Sequence, residues 1–95
     1  MFEKFRVKRS LKRLPDTVDE IALYLQAYEV TGYIGSPAFC PVAEYLKKDT
    51  GVKKIRVYPT HVKVNNIEID CPEAVKQFIF KFDLDGYPFL NVRVK

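Results

Sequence analysis

The chain has no tryptophan, one histidine, two cysteines and four glycines among its 95 residues, and each scarcity excludes something. Cys40 and Cys71 are too few for a disulfide scaffold and read as reduced thiols. His61 stands far from both cysteines in sequence, without the close paired spacing of a zinc site. Asp83-Leu84-Asp85-Gly86 is only the start of a calcium loop and lacks its later ligands, so it reads as the turn after a helix. No glycine-rich phosphate loop, G-x-S-x-G or H-E-x-x-H occurs. Nor is there an apolar run of roughly eighteen residues, the least a membrane-crossing helix needs. The opening residues, MFEKFRVKRSLKR, carry charge throughout and resemble no secretory leader. The expectation is therefore a cytoplasmic protein with no membrane partner, no metal, no cofactor and no catalytic residue.

What the chain does have is core material. Apolar residues make up 47% and aromatic residues 14%, enough to offset the entropy of folding in one domain spanning residues 1–95 and too little for two. Charge is unevenly placed. Residues 1–15 hold six bases, Lys4, Arg6, Lys8, Arg9, Lys12 and Arg13, against Glu3, so this segment carries more than the whole net charge of +4. A second basic run is Lys47, Lys48, Lys53, Lys54 and Arg56 against Asp49. Such asymmetry suits a polyanionic partner, while its plainer reading is a solvated surface.

Periodicity supplies the elements. Phe5 and Val7 alternate with Lys4, Arg6 and Lys8, so the basic N-terminal segment reads as a strand or a flexible arm. Thr17-Val18-Asp19-Glu20 matches a capping box, and Val18, Ile21, Leu25 and Tyr28 follow at helical spacing. This predicts a helix over 17–28 that stops near Gly32, glycine being suited to the left-handed residue that closes a helix. Cys40-Pro41 opens a second helix, with Val42, Tyr45 and Leu46 buried and Gly51 ending it. Three β-rich runs follow, 52–58, 61–64 and 67–70. Pro59-Thr60 and Asn65-Asn66 separate them, and the asparagines suit the positive φ of a two-residue hairpin. Cys71-Pro72 repeats the helix-opening device, and Val75, Phe78, Ile79 and Phe82 form a stripe to cover the sheet. Leu90, Val92 and Val94 alternate as a terminal strand. Paired with the N-terminal run, it would set Arg6, Lys8, Arg93 and Lys95 on one face, a like-charge arrangement that makes most sense against an anion.

The fold class is thus α+β: two N-terminal helices, a three-stranded antiparallel meander and a C-terminal helix on the sheet, with room for extra terminal strands. For chemistry, a thiolate just before a helix start would be stabilised by the helix dipole, but neither cysteine has a positioned base. Nucleic-acid binding rests on the two basic runs, whose contact residues would be Lys4, Arg6, Lys8, Arg9, Lys12, Arg13, Lys47, Lys48, Lys53, Lys54 and Arg56. Phe2, Phe5, Tyr45 and Tyr58 lie near them, though at positions read mostly as core-facing. The competing class is protein binding. Leu23, Tyr24 and Phe80 fall off their helix stripes and could meet a host protein or a second copy of the chain.

The order of Cys40-Pro41-Val42-Ala43-Glu44-Tyr45-Leu46, the Gly51-Val52 break, Cys71-Pro72 with Phe78-Ile79, and Phe82-Asp83 with Gly86-Tyr87-Pro88 resembles small uncharacterised open reading frames of bacteriophages and bacteria. These share a CPxAxYL helix, a short meander and an FDxGxYP segment. The resemblance spans about residues 17–90. It implies a phage or prophage accessory protein that acts by binding DNA, RNA or a host protein, and it brings no known activity with it.

Overall fold

The structure is a computed structural model and describes residues 2–92. Its order is α1 (Phe2–Lys12), α2 (Val18–Ala27), α3 (Pro41–Thr50), β1 (Ile55–Val57), β2 (His61–Val64), β3 (Ile67–Asp70), α4 (Glu73–Asp83) and a single 3-10 turn, Pro88–Leu90. This is an α+β fold with three helices before an antiparallel sheet of order β1-β2-β3 and one after it.

The basic N-terminal segment is a helix, which corrects the strand or arm expected for it. The deciding residues lie beyond the short alternation: Val7, Ser10, Leu11 and Leu14 are buried at helical spacing. Phe5, taken as the strand's inward residue, is 63% exposed. The like-charge pairing proposed between the termini falls with it. At the other end, Leu90 belongs to the 3-10 turn and Asn91 makes an isolated parallel bridge to Gly32; positions 93–95 of the expected terminal strand lie outside the described residues.

Helix boundaries follow local chemistry. Thr17 is the N-cap of α2, but its hydroxyl donates to Glu20 Oε1 at 2.7 Å and caps no backbone amide. The left-handed residue that closes α2 is Glu29, φ 64°, with Val30 N–H bonding Leu25 O; Gly32 is needed elsewhere. Cys40 caps α3, its Sγ accepting from Ala43 N–H at 3.4 Å, Pro41 takes the first helical position, and Gly51 closes the helix at φ 77°. In α4 the pattern shifts by one residue: Pro72 is itself the N-cap, which leaves Cys71 outside the helix. Asp85, φ 60°, makes the turn after α4 as expected, and Gly86 N–H bonds Lys81 O.

Both asparagines of the hairpin have positive φ, 50° and 79°, and pair Val64 with Ile67. From there the register runs Lys63 to Glu68 and Val62 to Ile69, and on the other side Ile55 to Val64, Arg56 to Lys63 and Val57 to Val62. Alternation then sorts the faces. Ile55, Val57, Val62, Val64 and Ile69 point into the core, where α3 lies against β1 and α1 against β2 and β3. The α4 stripe Val75, Phe78, Ile79 and Phe82 is buried in the same core, with α2 as its main helix neighbour. Asp19 holds this pair of helices to the C-terminal turn, accepting from Tyr87 OH at 2.6 Å and Lys81 Nζ at 3.2 Å. The opposite face of the sheet bears Lys54, Arg56, Tyr58, His61, Lys63 and Glu68, all exposed or half-buried, and is the open face. Among the described residues no helix is long and apolar enough to cross a membrane.

Candidate nucleic-acid interface

The open sheet face and the loop before α3 enclose a groove of about 480 Å³. Its walls carry Lys47, Lys53, Lys54, Arg56 and Lys63, the amides Asn65 and Asn66, and the ring of Phe39, with no carboxylate among them. Local structure places each of these. Gly51 turns the chain so that Lys53 and Lys54 approach β1, where Lys54 O accepts from Asn65 N–H at 3.0 Å and brings the hairpin tip alongside. Val57 N–H bonds Pro37 O at 2.9 Å and so fastens the Phe39 loop to the edge of β1. Phe39 is 51% exposed, with Lys47 Nζ 4.5 Å from its ring centroid.

Arg56 and Lys63 are direct partners across β1 and β2 on the open face. Like charges opposite each other oppose strand pairing, and Coulomb repulsion there is relieved when an anion binds between them. Glu68 follows Lys63 in register, yet among the described residues Lys53, Lys54, Arg56 and Lys63 join no ion pair.

The remaining candidates divide. Lys4, Lys8 and Lys12, four residues apart, share one edge of α1 and line a second cleft of about 320 Å³. That cleft also holds Glu68 and Asp70, which offset part of its charge, and it has no lining residue in common with the first. Arg6, Arg9 and Arg13 lie on the other flank of the helix. Arg13 is committed to Asp49 at 2.6 Å. Lys48 donates to Tyr28 O at 2.9 Å, and Lys47 pairs with Glu44 at 3.1 Å and also donates to Ala38 O. The eleven cations thus do not form one surface. Of the aromatics, Tyr45 is fully buried, whereas Phe2, 79% exposed, and Phe5 stand in solvent on the basic side of α1, contrary to the core role read for them.

Lys63, Asn65, Asn66 and Phe39 were absent from the candidates. Lys63 was recoverable, because the two turns fix its register opposite Arg56. Phe39 was not, since its position depends on a loop held by one long-range backbone bond.

Burial sets the chemistry of the two free cysteines. Cys40 and Cys71 are both pushed up to about 11, in each case chiefly because burial disfavours the thiolate. For Cys40 the amides of the α3 start oppose this, but desolvation exceeds them. At about pH 8 such a thiol is almost wholly protonated. Allowing for the higher intrinsic reactivity of a more basic thiolate, alkylation should run about twentyfold slower than in the urea-unfolded chain. Iodoacetamide labelling followed by mass spectrometry reads this directly; folded-state labelling as fast as unfolded would contradict the burial. Asp83 is likewise occupied, accepting from Gly35 N–H at 3.1 Å, and Asp85 Oδ1 accepts from Asn91 Nδ2 at 3.3 Å.

Comparison of the chain with protein-family models, with curated proteins and with solved structures finds no match.

Proposed function

We propose that the chain is a non-enzymatic nucleic-acid-binding protein whose phosphate contacts are made in the groove over β1 and β2. The observation that carries this reading is five cationic side chains, two amides and an exposed ring lining one concave surface, with no carboxylate in that lining among the described residues. Each phosphate neutralised by Lys or Arg releases a condensed counterion, so affinity falls with salt in proportion to the contacts made. Lys53, Lys54, Arg56 and Lys63, which join no ion pair among the described residues, are the side chains available for this. A phage-encoded accessory role, implied by the resemblance, fits a small binder of this kind.

The test is a salt titration of binding to a labelled oligonucleotide. Four phosphate contacts give a log–log slope of about −3 to −4. Replacing Lys53, Lys54, Arg56 and Lys63 together by alanine should flatten the slope to near zero and weaken binding at least about tenfold. The α1 substitutions Lys4→Ala, Lys8→Ala and Lys12→Ala serve as the comparison, with a smaller effect. If those α1 changes abolish binding and the groove changes do not, the site is on α1. Deleting residues 1–13 is not a usable test, because it removes the buried Val7, Ser10 and Leu11.

A second reading rests on Leu23, Phe80 and Leu84, which are exposed apolar side chains on or beside α2 and α4. They suit a protein partner or a second copy. Binding through them would change little with salt.

A further inference from the structure

We infer that the groove takes single-stranded nucleic acid, with bases stacking on Phe39 in its wall and on the Tyr58–His61 pair that neighbours Arg56 and Lys63 outside it; this rests on the nucleic-acid reading above. Tyr58 and His61 face each other at the β1–β2 turn, joined through Tyr58 N–H to His61 O at 2.8 Å. Their rings stack, with centroids 4.7 Å apart and planes 24° from parallel. His61 is further fixed by a 2.9 Å hydrogen bond between its Nδ1 and Thr60 Oγ1. Both rings share the open face with Arg56 and Lys63, one alternation further along the strands, which is about 7 Å.

Aromatic surface therefore lies near these cations in two places: Phe39 in the groove wall, and the Tyr58–His61 pair one alternation from Arg56 and Lys63. This matches an extended strand, whose phosphates can lie on the cations while its bases turn onto the rings. A duplex cannot use the rings, because its base faces are already stacked on one another. Charge alone would favour the duplex, since its phosphates are packed more densely along the axis. A preference for the single strand therefore reports the rings.

The experiment compares fluorescein-labelled oligo(dT) of about twelve nucleotides, a length within the usual site size, with a mixed-sequence duplex of the same length by anisotropy. The single strand should bind about tenfold more tightly. Phe39→Ala and Tyr58→Leu should each weaken single-strand binding about tenfold, leaving duplex binding and the salt slope as they were. Phe39→Leu keeps the apolar bulk without the ring, so it should behave like Phe39→Ala while melting as the parent does. Because the chain has no tryptophan, Phe39→Trp gives a unique fluorophore whose emission should be quenched as oligo(dT) is added. A duplex bound as tightly as the single strand, or ring variants that bind oligo(dT) like the parent, overturns the inference while a steep salt slope leaves the groove reading standing. Failure to bind either oligonucleotide overturns both.

Discussion

Gly32→Ala is expected to be the most damaging single-methyl change in the protein, costing on the order of 4 kcal/mol or preventing folding outright. A Cβ at this position would land on Phe39 O and Pro41 N and 2.5 Å from Cys40 C. All three are backbone atoms at the start of α3, where no flexible side chain can move aside. The chain is held from its other side as well: Gly32 N–H bonds Leu90 O at 2.9 Å and Gly32 O accepts from Val92 N–H at 2.8 Å. Relief would need either α3 to shift or the bridge to the C-terminal turn to break. Gly35→Ala is the control, since φ is 72° there but the added methyl meets nothing. Its cost should be the left-handed penalty alone, about 1 kcal/mol. For a domain of this size the two variants should differ in melting temperature by roughly 12 °C or more. A Gly32→Ala protein melting within a few degrees of Gly35→Ala would show that the close approach does not exist. Because the Phe39 loop is part of the contact, a destabilised Gly32 variant should also lose the groove.

That role for Gly32 shows where the sequence is informative and where it is not. Glycine after a helix reads as its left-handed terminator, but Glu29 takes that conformation at some energetic cost, and the demand on Gly32 comes from a crossing of segments distant in sequence. Local rules carried the elements whose causes are local. The Asn65-Asn66 turn, the Cys40-Pro41 opening, the Gly51 end and the α4 stripe are each decided within a few residues. The N-terminal helix was misread because a period-two pattern over five residues competed with a period-3.6 pattern whose members, Val7, Leu11 and Leu14, are spread over eight. With one or two apolar residues per turn in a strongly charged segment, the shorter window prevailed.

The same division holds for the candidate site. Lys53, Lys54 and Arg56 were visible as a basic run, while of the N-terminal run Lys4, Lys8 and Lys12 line a separate cleft and Arg13 pairs with Asp49. Which cations remain available depends on where acids end up. Glu44 captures Lys47 one helical turn away, which spacing alone could show, whereas Asp49 captures Arg13 and Glu68 and Asp70 lie beside Lys4, Lys8 and Lys12 across long stretches of sequence. Since Lys53, Lys54, Arg56 and Lys63 are exposed or half-buried and join no ion pair among the described residues, substituting them should leave stability nearly unchanged, which makes binding and folding separable in the variants above.

Asp49→Ala should cost about 2–4 kcal/mol, much more than an ordinary exposed ion pair. An acid in the last turn of α3 is unfavourable against the helix dipole, so its presence points to compensating contacts. Asp49 joins three helices: it accepts from Ser10 Oγ on α1, from Arg13 Nη1 just beyond it at 2.6 Å, and from Tyr28 OH at the end of α2 at 2.7 Å. Ser10 is buried, so removing the carboxylate strands its hydroxyl. The hydrogen bond from Ser10, then those from Tyr28 and the Arg13 charge, hold the Asp49 carboxyl below its ordinary range against the opposing effect of burial. A depressed folded-state value means that this stabilisation is complete above the unfolded value, about pH 4, and is lost as pH falls through the folded one. Asp19, lowered by Tyr87 and Lys81, acts in the same direction. Urea unfolding from neutral to about pH 2.5 should therefore show a steeper acid loss in the parent than in Asp49→Ala, with the residual slope coming from Asp19 and the remaining carboxyls. The alkaline limb gives an independent reading. Tyr28 is raised first by its bond to Asp49, so its contribution is intact below about pH 10 and lost as pH climbs through the higher folded value. In Asp49→Ala one phenolate should appear at lower pH than in the parent. Equal stability at neutral pH, together with an unchanged phenolate titration, would show that Asp49 does not tie the three helices together.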